Sequence, residues 1–420
     1  MRQTNWAGNL TYAAATVVVP KTIAEAQEAV RAAAKLRVVG SRHCFNDIAD
    51  TPGTHLSLEH MRGIVSVDKA KRQVTVEGGA RYGDIGPALH EQGYALHNLA
   101  SLPHISIPGA CATATHGSGA ALGSLATAVA AFEFINAEGD LVTLSREKDG
   151  DTFNGAVVSL GALGVVTKMT LDVQPAFNVR QDVYRDLPLA AAEAHFAEIM
   201  SAGYSVSLFT DWQGDTVEQV WIKRKADVGD ASPAAPAFFG ARAATTNMHP
   251  VAALDAVNCT EQMGVAGPSY DRLPHFRMGF VPASGEELQV EYFVANEHAV
   301  EAMRTLHRLG DQLAPVLIIS EVRTIAADDL WMSPFYRQPS VAFHFSVKQD
   351  WGALQQLQPG LEAALAPFSP RQHWGKVFAL SPATVQARYA KLPEFRELLN
   401  THDPGGKFRN GFVEKYVFGN

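Results

Sequence analysis

The chain has 420 residues, 47% of them hydrophobic and 19% charged, which is the make-up of a globular protein and excludes a disordered one. Its 35 Lys and Arg stand against 43 Asp and Glu, a formal net charge of −8, and no basic run reverses the sign locally, so general attraction to nucleic acid or to an anionic membrane is excluded. The three cysteines, Cys44, Cys111 and Cys259, form no C-x-x-C pair, which excludes a disulfide framework and a structural zinc site.

A chain this long predicts two domains. The start, Met-Arg-Gln-Thr-Asn-Trp, lacks a secretory signal. The richest apolar run, Leu125 to Ala137, is short and broken by Glu133, well below the roughly 20 residues of a spanning helix. The expected compartment is the cytoplasm.

In chain order, Thr22 to Glu25 reads as a capping box that opens a helix from Ile23 to Lys35. A short buried strand, Leu36 to Gly40, follows. Ile64 to Val67 and Gln73 to Val76 read as a hairpin, and Arg81 to Gln92 as a helix. Phe132 to Asn136 and Leu141 to Leu144 flank a Glu138-Gly139 turn, and a Gly-rich turn leads into a strand within Ser159 to Leu171. This α+β unit ends near residue 175.

Aromatic strands then appear: Tyr204 to Thr210, Val217 to Arg224, Glu287 to Val294, Val316 to Thr324 and Ser340 to Lys348. An Ala, Gly and Pro-rich loop, Ala226 to Thr245, interrupts them, and helical patterns run over Glu297 to Leu309 and Trp351 to Leu365. This order predicts an antiparallel sheet covered by helices on one side. The tail from Pro404 to Asn420 is again Gly-rich and aromatic. No G-x-G-x-x-G, P-loop, H-E-x-x-H or G-x-S-x-G motif occurs, which lowers nicotinamide, nucleotide-triphosphate, zinc-protease and serine-hydrolase chemistry.

Five segments carry chemistry. In Val38 to Phe45 a strand ends in a Gly-Ser turn, whose outward amides suit a pyrophosphate; His43 there is either a core residue or a phosphate contact. From Ala100 to Gly119 small residues dominate, interleaved with Ser, Thr and His. Such a backbone can approach a large planar ligand, whereas plain tight packing would leave His104, Thr113, Thr115, His116 and Ser118 without purpose. On a strand, Glu321 and Arg323 share a face, and acceptor beside donor suits adjacent hydroxyls; a structural ion pair is the competing reading. In Val341 to Val347 the odd positions are core, while Ala342, His344 and Ser346 form a small polar face that suits a site wall; a satisfied buried His344 is the other reading. In Arg371 to Phe378, Trp374 and Phe378 are core or stacking residues. Lys376 in that setting is paired, lowered in pKa or simply snorkelling.

Taken together the segments resemble the vanillyl-alcohol-oxidase type of FAD flavoprotein, within it the alditol (xylitol) oxidase group. The likeness runs from Thr4-Asn-Trp-Ala-Gly to Asp403-Pro-Gly-Gly-Lys-Phe-Arg-Asn410. It includes Ser101-Leu-Pro-His-Ile-Ser, Ala114-Thr-His-Gly-Ser-Gly119, Ser159-Leu-Gly-Ala-Leu-Gly-Val-Val-Thr167, Tyr204-Ser-Val-Ser-Leu-Phe-Thr-Asp-Trp212, Asn258-Cys-Thr-Glu-Gln262 and His373-Trp-Gly-Lys-Val-Phe378. The resemblance implies an α+β, two-part FAD-binding domain with an inserted antiparallel-sheet substrate domain. Its parts would be residues 1–175, residues 176–372 as the insert, and residues 373–420 completing the first.

It also implies roles. His43 would attach covalently to the flavin 8-methyl carbon. Val39, Gly40, Ser41, Arg42, Cys44 and Phe45 would contact FAD with Ser101, Ser106, Gly109, Thr113, Ala114, Thr115, His116, Val166 and His373. Ala100 would lie beside the flavin, leaving room for dioxygen. Ser101, Glu321, Arg323 and Ser346 would hold substrate hydroxyls, with His344 and Lys376 near the reacting carbon. Two features depart from the family: at the attachment site Arg42 and Cys44 replace the usual Gly and Ser around the His, and Ser346 stands where Thr is common.

The implied reaction converts a polyol's terminal CH2–OH, as in xylitol or sorbitol, to the aldose. A hydride passes to flavin N5, a base assisted by His344 and Lys376 takes the hydroxyl proton, and dioxygen becomes hydrogen peroxide. No metal and no protein partner is implied. The alternatives are a sugar-lactone oxidase or dehydrogenase of the same superfamily, and a non-catalytic flavin- or sugar-binding protein.

Overall fold

The computed structural model describes residues 3–227, 234–279 and 287–419. The first helix, Ile23–Ala32, is capped by Thr22, whose hydroxyl accepts from the Glu25 amide. The Glu25 carboxylate accepts from the Lys21 amide at 2.7 Å rather than from Thr22, so the capping box is displaced by one residue. The helix stops short of Lys35 because Ala33 is extended, at ψ 132. The next strand, Leu36–Val38, lies in a three-stranded parallel sheet, with Thr54–Leu56 between it and Thr16–Val18.

A five-stranded antiparallel sheet stands beside it, in the order Ile64–Asp68, Gln73–Glu77, Val165–Asp172, Val129–Ile135, Leu141–Ser145. The Gly-rich 159–164 turn feeds its middle strand. The helix Arg146–Val157 was not anticipated: its first turns are charged, and it kinks at Gly150, where φ is +52°.

The large antiparallel sheet contains all five aromatic strands. Its central order is Asn178–Pro188, Thr216–Ala226, Ser205–Thr210, Leu317–Ile325, Ser340–Lys348, Glu287–Ala295. Asn178–Pro188 escaped the sequence reading because charges interrupt it; in the sheet, buried Asp182 takes Arg224 at 2.8 Å and Arg180 at 3.5 Å. The expected Ala226 to Thr245 loop falls in part on residues 228–233, outside the described residues. Beyond them it forms a small hairpin, Ala237–Phe238 with Ala241–Ala243, at the sheet edge.

The two faces of this sheet differ. Cross-strand neighbours place Lys223, Ser207, Phe209, Arg323, Glu321, His344 and Glu291 on one side. Leu288, Val290, Tyr292, Val322, Phe343 and Phe345 occupy the other and are buried with residues of helices Ala299–Arg308 and Trp351–Leu365. Burying each such side chain contributes roughly 1.5–3 kcal/mol, which fixes the register.

The tail returns to the start of the chain. The Lys407 carbonyl accepts from the Leu36 amide at 2.9 Å, and the buried Arg37 guanidinium donates to Phe408, Gly161 and Leu160 carbonyls at 2.7–2.9 Å. Asn410 donates to the carbonyls of Asp47, Ile48 and Asp50. Among the described residues no helix is long and apolar enough to cross a membrane.

Candidate active site

The turn after Leu36–Val38 is held from two sides. Trp6 donates its amide to the Arg42 carbonyl at 2.7 Å, and the Phe45 amide donates to the Gly375 carbonyl at 2.8 Å. Asn46 bonds the carbonyls of Trp374 and Lys376 at 2.8 and 2.7 Å. Residues 43–45 and 374–376 are thereby one unit. Arg42 adopts a left-handed φ of 59° and is exposed, so it does not crowd the turn. Cys44 is partly buried, and burial pushes its thiol up to about 11.

His43 packs against Trp6 at a 45° tilt, ring centroids 4.4 Å apart, with His104 edge-on at 5.2 Å. Burial, with Lys376 nearby, lowers the His43 pKa well below its usual value, so the ring is neutral. Its Nδ1 and both ring nitrogens of His104 are buried without a protein partner. Among the described residues, the amides of Gly40 through Cys44 also donate to no protein acceptor. Unpaired buried donors and acceptors in such number call for a ligand.

The space beside them has the right shape. A cavity of about 510 Å3 runs past His43, Ala100, Ser101, Thr115, His116, His373 and Lys376. His43, Thr115, His373 and Lys376 also line a second cavity of about 140 Å3, bounded by Val39 to Cys44 with Ser106, Gly109 and Thr113. Val39, Gly40, Ser41, Ser106 and Gly109 then line a third, of about 110 Å3, with Gly78, Gly79 and Val166. The three form one elongated trough. A Cβ on Gly40 would lie 2.2 Å from the Ser106 hydroxyl, so this wall is as thin as the chemistry allows. Free amides at the middle, aromatic and histidine rings at one end, and a narrow slot at the other fit a flavin dinucleotide. Gly375 donates its amide to His373 Nδ1 at 3.0 Å, which puts the proton of the neutral ring on Nε2.

The wide end of the trough meets the polar face of the large sheet. Arg323 pairs with Glu291 at 2.6 Å and stands 3.6 Å from Glu321. Burial pushes the Glu321 carboxyl up, but Arg323 and His275 together outweigh it and hold it well below the usual carboxylate range. The same balance, with Arg323 and His116 as the opposing groups, keeps Glu291 ionised. His344 Nε2 lies 3.3 Å from the Ser346 hydroxyl and its Nδ1 3.7 Å from Glu291. Lys376 sits over the Phe45 ring at 4.8 Å and donates to Gln289; burial lowers its pKa to about 8 against the pull of Glu291. The result is an acceptor, a donor and a near-neutral amine around one space.

All the sequence-derived site residues line this trough except two. Phe45 is buried behind the His43 ring, edge-on at 5.8 Å, and supports it instead of facing the cavity. Ala114 is fully buried in a left-handed turn at φ 53°. Among the wall residues that were missed, four carry polar or aromatic groups close to the residues named above. Gln289 and Glu291 alternate on the Glu287–Ala295 strand as His344 and Ser346 do on theirs, so the same signal was present. Trp6 and His275 lie in irregular segments and carried none.

Comparison with known proteins agrees with this geometry. Residues 14–145 match the family model described as FAD binding domain, and residues 285–416 that described as D-arabinono-1,4-lactone oxidase. The chain is 45% identical to an alditol oxidase from Streptomyces sp. (strain IKD472 / FERM P-14339), over 99% of both chains. It is 27% identical to an L-gulono-1,4-lactone dehydrogenase from Mycobacterium tuberculosis, over 98% of each. In fold it is similar to cholesterol oxidase from Brevibacterium sterolicum, at a TM-score of 0.79 and 14% identity over 99% of this chain and 96% of that one. The cofactor is FAD and the protein an oxidoreductase. The chain belongs to the vanillyl-alcohol-oxidase-type FAD flavoproteins, in the alditol oxidase group.

Proposed function

We propose that the protein oxidises the terminal hydroxymethyl group of polyols such as xylitol or sorbitol to the aldose. The observation that carries this is the Glu321 and Arg323 pair, 3.6 Å apart, ionised, and on the cavity face of one strand. Carboxylate beside guanidinium accepts from one hydroxyl and donates to the next, the pattern that a chain of vicinal hydroxyls presents. Ser101 and Ser346 add hydroxyls to the same cavity, and Glu291 anchors Arg323 from behind. Lys376 and His344 hold and move the proton of the reacting hydroxyl. Bound FAD supplies the hydride acceptor, and its reoxidation by dioxygen yields hydrogen peroxide. Ala100, small and on the cavity wall, leaves space for the oxidant.

We read His43 as the covalent attachment point, since its neutral ring has an unpartnered Nδ1 at the trough. Acid-precipitated protein is expected to stay yellow, and a colourless pellet would remove the bond while leaving the binding. We also assign residues 1–175 and 373–420 to the flavin-holding part and residues 176–372 to the substrate part, and place the enzyme in the cytoplasm. The Arg37 and Asn410 contacts of the tail and the free Cys44, Cys111 and Cys259 support these two assignments.

The second reading is a sugar-lactone oxidase or dehydrogenase, favoured by the match of residues 285–416 to the arabinonolactone oxidase model. A peroxide-coupled screen of polyols against lactones separates the two. Glu321→Gln and Arg323→Ala are each expected to lower kcat/KM for xylitol at least about tenfold, since losing a buried partner costs about 1–3 kcal/mol. Unchanged turnover in both would sink the polyol assignment.

A further inference from the structure

Lys223 is 1% exposed, on the cavity face of Thr216–Ala226, and no step above uses it. Its Nζ has three neighbours: the carbonyls of Leu273 and Pro274, the latter at 3.0 Å, and His275 Nδ1 at 3.1 Å. On the other side of the ring, His275 Nε2 lies 2.8 Å from Glu321 Oε1. The ring is wedged edge-on between Trp221 and Phe209, at 5.2 and 5.6 Å, so it cannot flip without opening the sheet face.

Burial lowers the Lys223 pKa to about 7 although Glu321 pulls the other way, so below pH 7 the group is an ammonium, with three N–H donors and no acceptor. Two donors are taken by the carbonyls, and the third meets Nδ1, which must therefore carry no proton. The single ring proton of a neutral His275 then sits on Nε2 and is donated to Glu321. The opposite tautomer would set a bare Nε2 lone pair against a carboxylate oxygen. Glu321 would then turn away or take up a proton.

We propose that Lys223 and His275 are positioning residues that lock Glu321 as an ionised, acceptor-only group, so that the substrate must present an O–H at this point. The device extends the polyol reading and depends on Glu321 being a substrate ligand. It gives that reading a basis for selectivity. A hydroxyl donates to a locked carboxylate, whereas a lactone carbonyl or ring oxygen offers only lone pairs and is repelled. Unpaired buried polar groups give sites of this kind strong discrimination.

The test uses flavin-loaded protein labelled with 15N-histidine. The His275 ring signals are identified by their loss in H275Q. The Nε2–H tautomer is expected in the wild type at pH 6, where Lys223 is an ammonium, and a mixed or reversed tautomer in K223M. K223M and H275L are expected to raise KM for xylitol about tenfold or more, with kcat changed less than about threefold. H275Q should rescue most of that loss, because a Gln amide can accept from Lys223 and donate to Glu321. An imidazolium or an Nδ1–H tautomer in the wild type at pH 6 overturns the proposal, as do a K223M tautomer and KM equal to wild type. The wild-type spectrum decides even if K223M fails to accumulate. The tautomer is read without substrate. An intact relay with E321Q fully active would therefore sink the substrate role of Glu321 and leave the relay standing.

Discussion

Lys376 shows how a single residue depends on its surroundings. Its stem crosses the Phe45 ring, its amine donates to Gln289, and burial brings its pKa down to about 8 although Glu291 and Glu287 pull the other way. An amine so lowered is half neutral near pH 8 and can take a hydroxyl proton that an ordinary lysine could not. The sign follows: kcat/KM for xylitol should rise with pH and level off above about 8. K376M should be slower and lose that rise, and an unchanged profile in K376M would remove Lys376 from the proton path. At this scale the sequence was readable where two polar residues share one face of an otherwise apolar strand, although Gln289 and Glu291 were passed over. Glu321 with Arg323 and His344 with Ser346 follow from alternation alone. Lys223, His275 and Glu321 come together from three distant segments, and no local pattern announces such a meeting.

Among the elements, the one that closes the substrate end is irregular. Segment 248–277 lies over the polar face of the large sheet, and side chains of the sheet clamp it. Gln219 donates to the carbonyls of His249 and Pro250 at 2.8 and 3.1 Å, and its own carbonyl accepts from the Trp221 indole at 2.9 Å. His249, Pro250 and Val251 line the cavity, so the clamp sets its width. Gln219→Leu leaves three buried polar groups without partners. It should lower Tm and raise KM for polyols several-fold, at about 1–3 kcal/mol per lost partner. The visible flavin spectrum should not move, because neither Gln219 nor the residues it holds line the two narrower cavities of the trough; a loss of bound flavin would contradict the clamp as described. Elements with strong apolar alternation were legible to within a residue or two, Trp351–Leu365 without any shift. A strand stabilised by buried ion pairs was not. In Asn178–Pro188 charged residues interrupt the apolar alternation, and Asp182 finds its partner only when Arg224, from another strand, reaches it.

Across the whole molecule, the chain leaves its first part, builds the large sheet and returns, so that Lys407 and Asn410 bond to residues near positions 36 and 50. That return was legible only through the family resemblance, because tail and head share no periodic signal. The fold buries several histidines, and their burial gives the molecule a pH response. Burial lowers the pKa of His104 and His275 to about 4, in the latter case with help from Lys223. His43, His97, His116 and His373 are lowered too, burial being the largest cause in each. Each stays neutral in the fold but takes up a proton in the unfolded chain near pH 6.5. Between about pH 4 and pH 6.5 the unfolded state therefore binds more protons, and stability rises with pH. Glu291 and Glu321, held low by Arg323 against burial, act in the same direction. Glu218 and Asp328, both raised to about 7 by burial, and Asp47 and Glu362 oppose it, but they are fewer. The Tm of the flavin-loaded protein should accordingly fall steadily from pH 7 to pH 4.5. A level or rising Tm toward pH 4.5 would mean that these rings are charged in the fold, and with them the neutral state assigned to His43 and His275 would go.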